Sequence, residues 1–158
     1  MKNLIGLAIT TTATCGTWLV PEDCQTIQDA IDAASDGDEI IVAQGIWKEQ
    51  IDFTGKTLLI YSEVGAEETV IDAGGQGTVV SCTESTSAVL EGFTIRGGKA
   101  ELGGGILVLD ATPTFRLCMI DFNTANKGGG VYVRGANPVI DQWVVSFDNA
   151  HEGDGVLA

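Results

Sequence analysis

Apolar residues return at a fixed interval along the last third of the chain. GGGILVLDATPTFRLCMIDFNTAN begins at Gly103 and GGGVYVRGANPVIDQWVVSFDNAH at Gly128, a shift of 25 (103 to 128), and a third copy, GDGVLA, opens at Gly153. Four columns of this alignment are apolar throughout: Phe93, Cys118 and Trp143; Ile95, Ile120 and Val145; Ile106, Val131 and Val156; Leu90, Phe115 and Ile140. Alternating with them stand Thr94, Met119 and Val144, then Arg96, Asp121 and Ser146. This is the period of two expected of a strand with one buried face. Helical spacing does not fit it.

Three strands per coil follow from the pattern: one around FTIRG or CMIDF, one after the glycine triplet as in GGGVYV, and one around PTF or PVI. Glycines supply the corners, and Pro113 and Pro138 recur at one bend. A single coil cannot bury its inward residues, whereas stacked coils build a continuous core. The predicted fold is all-β: a right-handed parallel β-helix with coils of about 25 residues.

Upstream the match loosens. TVIDAGG from Thr69 aligns with FTIRGGK at a shift of 24, and GTVVSC from Gly77 aligns with GGGILV from Gly103 at 26. DEIIVA, EQIDF and TLLIYS are read as the three strands of a first coil. About four and a half coils result, a cylinder about 20 to 25 Å long. QTIQDAIDAASDG breaks the pattern, because Ile27, Ala30, Ile31 and Ala34 share one face of a helix. Thr26 is its expected cap, Gly37 its expected end, and its place is over the open end of the cylinder.

The length fits one domain, residues 16–158. Residues 1–15 read either as a signal peptide or as a first strand, since MKNLIGLAITTTATC has one basic residue, a short apolar stretch and small residues near Cys15. No stretch approaches the roughly 18 apolar residues of a membrane span. Ala158 falls inside a coil without a capping helix, with Trp143, Val145 and Phe147 read as an apolar top. That predicts either self-association through an open C-terminal coil or a longer parent protein.

With 8 basic and 22 acidic residues the formal net charge is −14, which argues against nucleic acid as a partner. It also keeps a repetitive β surface soluble. Cys15, Cys24, Cys82 and Cys118 are scattered without a CxxC pair, so no metal site is expected from them. A Cys15–Cys24 bridge stays open.

The succession PEDCQTIQDAIDAASDGDEIIVAQGIWKEQIDFTGKTLLIYSE, TVIDAGGQGTVV and LEGFTIRGGKAELGGGI resembles the pectin-lyase-like right-handed β-helix proteins of bacterial and phage surfaces, from Trp18 to the C-terminus. The resemblance implies a place outside the cell, on a cell surface or on a virion. It speaks for fold more than chemistry, since that fold hosts lyases, hydrolases, adhesins and tail spikes. Two readings follow. The first is a noncatalytic scaffold, adhesin or glycan-contacting module with polysaccharide as partner. The alternative is a polysaccharide lyase acting on acidic glycans, the one reading in which calcium would serve as cofactor.

The catalytic candidates under the alternative are Arg96, Asp121 and Lys99, outward residues able to take a proton from a sugar or to hold a cation. The lap spacing offers a structural role instead. Arg96 stands under Asp121, and Glu91, Arg116 and Asp141 follow one another at steps of 25, so opposite charges pair along the stack. No metal ligands are assigned. His151 and the pair Asn123 and Asp148 are read as coil-corner residues, the last two as turn formers tolerant of left-handed backbone. For binding, the candidates are the outward apolar columns Leu107, Tyr132 and Leu157, and Met119 with Val144.

Overall fold

The computed structural model describes residues 14–84 and 86–158. The expected signal peptide or first strand at 1–15 thus falls almost wholly outside the described residues. What is described is a parallel β-solenoid of about six turns. One sheet stacks Thr17–Val20, Glu39–Val42, Leu59–Ser62, Val89–Glu91, Thr114–Arg116 and Val139–Asp141. A second stacks Gly45–Trp47, Thr69–Asp72, Thr94–Arg96, Met119–Asp121 and Val144–Ser146. The third holds Ile51–Asp52, Val80–Cys82, Ile106–Leu109, Val131–Arg134 and Val156–Leu157.

The columns read from the sequence are physical stacks. Ile95 faces Ile120 and Ile120 faces Val145; Leu90, Phe115 and Ile140 pair likewise, as do Ile106, Val131 and Val156. Phe53, Phe93, Phe115 and a run of isoleucines fill the axis, fully buried. Like residues stack on like because each lap repeats the cross-section of the one beneath it.

Three details differ from the expectation. The later laps carry a fourth short sheet, Lys99–Leu102, Thr124–Lys127 and Asn149–Glu152, so His151 lies in a strand and not at a corner. TLLIYS does not close the first coil: Leu59 pairs with Glu39, and Gly45–Trp47 supplies the strand between. Early laps vary in length, with 20 residues from Glu39 to Leu59 and 30 from Leu59 to Val89, before settling at 25 from Val89 to Thr114. These two laps offset one another; the additional turn comes from Thr17–Val20, which pairs with Glu39–Val42 ahead of the expected first coil, so about six turns exist where four and a half were expected.

The helix Ile27–Ala33 seals one end, burying Ile27, Ala30 and Ile31. The Thr26 hydroxyl accepts the Asp29 amide at 3.0 Å, as its capping position predicts. Two residues of the next lap hold both helix ends. Glu49 accepts the Ile27 and Gln28 amides at 3.0 and 2.9 Å, and Lys56 Nζ donates to the carbonyls of Ile31, Asp32 and Ala34 at 2.7, 2.8 and 2.8 Å. A carboxylate at the N-terminus and an ammonium at the C-terminus match the sign of the helix dipole. Gly37, expected to end the helix, lies beyond its Ala34 cap. Buried Asp38 ties this end together by accepting from the Gly16 amide, the Trp18 indole and the Ser35 amide at 2.7, 3.0 and 2.9 Å, and these bonds hold its carboxyl below the ordinary carboxylate range.

All four cysteines are free; Cys82 and Cys118 are buried, which pushes both thiols up, that of Cys118 to about 11. Among the described residues no helix is long and apolar enough to cross a membrane.

Candidate functional site

The second sheet presents two outward rows along the axis. Ile46, Val70, Thr94, Met119 and Val144 form the first, and Asp72, Arg96, Asp121 and Ser146 the second. Ile46 and Val144 are more than half exposed, so the first row is an apolar stripe open to solvent at both ends. Thr94 interrupts it, buried beneath the Ala66 carbonyl to which its hydroxyl donates at 2.7 Å.

The charged row is wired differently from the expected pairing. Arg96 is in register with Asp121, yet its Nε donates to Asp72 Oδ2 at 3.1 Å in the preceding lap. Asp121 keeps Oδ1 inaccessible and without a partner, and burial pushes its carboxyl up against the pull of Arg96. Of the second ladder, Arg116 reaches Glu91 at 3.8 Å; Asp141 is in register above it without an ion pair.

Beside the charged row the chain turns a corner through left-handed backbone. The lap-equivalent positions are Gly97, Phe122 and Phe147, with φ of 72°, 54° and 53°. Glycine adopts this conformation freely; a phenylalanine there costs roughly 1–2 kcal/mol. The two rings stack at 5.2 Å between centroids with 6° between planes, and they are 61% and 76% exposed. Phe147 thus points away from the core and does not form the expected apolar top. Leu117, half exposed and also left-handed, borders the other side of Met119. Strained, solvent-facing aromatics raise the question of a contact surface.

Asn123 and Asp148, expected to occupy the left-handed turn, follow it and point inward. Asn123 is fully buried, and Asp148 is half-buried one lap beyond. The Asn123 amide nitrogens donate to Asp148 Oδ1, the backbone one at 2.8 Å and Nδ2 at 3.0 Å.

The sequence candidates therefore separate. Arg96, Asp121 and Met119 share the outer face of the second sheet. Leu107 and Tyr132 lie half-buried on the third, stacked in register with Leu157. Lys99 begins a strand of the fourth sheet, exposed, paired with Thr124. Among the described residues no three His, Cys, Asp or Glu side chains converge as metal ligands. Phe122 and Phe147, 25 residues apart in FNTAN and FDNA, were the readable signal for the stacked pair, but alternation alone assigns Phe147 inward.

Comparison with protein-family models, with curated protein sequences and with solved structures returns no match for this chain. What stands is the architecture, a parallel β-solenoid, and the likeness to pectin-lyase-like proteins reaches no further than that.

Proposed function

We propose that the chain is a noncatalytic contact module, a scaffold or adhesin-type element of an extracellular, cell or virion surface, whose second sheet meets a glycan. The observation that carries the reading is the stacked Phe122–Phe147 pair, exposed at a strained corner beside a polar row. Aromatic faces and edges supply rigid apolar area for the C–H faces of sugar rings, and Arg96, Asp121 and Ser146 alongside supply hydrogen-bonding groups. Engagement of Arg96 by Asp72 also favours binding over proton abstraction, since a guanidinium held by a carboxylate is a poor base.

Affinity electrophoresis through neutral and acidic polysaccharides tests it. Retardation by at least one glycan, abolished in the double variant Phe122→Gly/Phe147→Gly, supports the reading. Glycine suits the left-handed backbone, so the double variant should fold. Equal mobility of both proteins in every glycan contradicts it, and release of unsaturated uronate products by the native chain would favour the lyase.

A further inference from the structure

We propose that Asp148, in its protonated form, donates its proton to the backbone carbonyl of Ile120, making this lap of the solenoid pH-sensitive. The argument is one of equivalence between laps. Asn123 stands one lap before Asp148 and has every polar atom placed: Oδ1 accepts the Gly98 amide at 2.9 Å and Nδ2 donates to the Ile95 carbonyl at 3.1 Å. Asp148 repeats the first bond, its Oδ1 accepting the Asn123 amide at 2.8 Å. Its Oδ2 therefore takes the place of Nδ2.

The glycine triplets give an independent check. A Cβ on Gly105 would come within 2.9 Å of Asn123 Nδ2, and one on Gly130, 25 residues on, within 2.6 Å of Asp148 Oδ2. The carbonyl that corresponds to Ile95 one lap later is that of Ile120, its partner in register. Asp148 Oδ2 is inaccessible and has no hydrogen-bond donor. An ionised carboxylate would set an acceptor against an acceptor; a protonated one restores the donor that the asparagine provides.

The groups around it bring no compensating cation. Asp121, from the second sheet, adds negative charge. Asn123, the glycines at 128–130 and the Ile120 carbonyl are uncharged. On its own lap, Asp154 is engaged with the Ala150 amide at 2.9 Å and His151 stands exposed. None of the ion pairs among the described residues includes Asp148. Burial, with Asp121 adding to it, pushes the carboxyl up to about 6 despite the Asn123 donors.

Carboxyl and carbonyl carbon NMR on the native chain, titrated from about pH 3 to about pH 8, tests the assignment. The expected result is an Asp148 carboxyl midpoint near 6, followed with the same midpoint by the Ile120 carbonyl. Asp148→Asn provides the second arm. Its asparagine fills the amide slot, so its melting temperature should fall distinctly less than that of the native chain over the interval in which the native chain loses stability. An Asp148 midpoint in the ordinary range near ~4, or an Ile120 carbonyl indifferent to the titration, overturns the proposal. So does a variant whose melting temperature follows pH in parallel with the native chain.

Discussion

The side-chain amide of Asn123 donates to Asp148 Oδ1 at 3.0 Å across one lap of the solenoid, forming a polar ladder at the edge of an otherwise apolar core. Removing its middle member strands the Gly98 amide, the Ile95 carbonyl and Asp148 together. Asn123→Ala should therefore cost about 3 kcal/mol in urea unfolding, more than a surface asparagine would. Asn123→Asp places two carboxylates in contact, and its loss should be larger at neutral pH than in mild acid.

Asp148 and Asp38 predict opposite pH limbs. Asp148 titrates above its unfolded value, so the stability it contributes is full below the ordinary carboxylate range near ~4 and is lost as pH rises through about 6. Fully buried, such a change would amount to ~3 kcal/mol; half open to water, about 1 kcal/mol is expected. Asp38 is held low, so its contribution is present above its unfolded value and lost as pH falls. Thermal melts of Asp38→Asn should lack part of the acid limb that the native chain shows.

Lys56 binds three carbonyls at the end of the capping helix. Lys56→Met keeps the aliphatic stem and deletes the ammonium. A loss of about 1–2 kcal/mol is expected, with faster hydrogen exchange confined to the helix and first laps. Uniform acceleration across all laps would contradict a local capping role.

The glycine triplets are required for close approach between laps. A Cβ on Gly104 would lie 2.6 Å from the Thr124 carbonyl oxygen and 2.7 Å from that of Gly129, both backbone atoms. Gly104→Ala should cost roughly 3 kcal/mol or more, a value typical of steric overpacking. Gly75→Ala meets open space and pays only for its φ of 81°, about 1–2 kcal/mol.

The regular laps were legible in the sequence because equal lap length turns stacking into a constant shift, and Phe93, Ile95 and Leu90 lead directly to their partners. The early laps were not, since the lap from Glu39 to Leu59 is five residues shorter than 25, which hides that pairing, and the segments between Ser62 and Thr69 and between Cys82 and Val89 make the next lap five residues longer. Corner residues escaped for another reason. A left-handed residue at 122 or 147 resets the alternation, sending Phe147 outward and Asn123 inward. Ion pairing was ambiguous because Arg96 has Asp72 one lap before it and Asp121 one lap after, and spacing does not choose between them.

The stacking itself is tested most directly by methyl NOEs in a sample labelled at isoleucine and valine. Ile95, Ile120 and Val145 lie on adjacent strands in parallel register, with strands ~4.8 Å apart. The account predicts strong cross-peaks between Ile95 and Ile120 and between Ile120 and Val145, with a weaker one or none between Ile95 and Val145. Absence of both nearest-neighbour peaks, or a strong Ile95–Val145 peak alone, would contradict it.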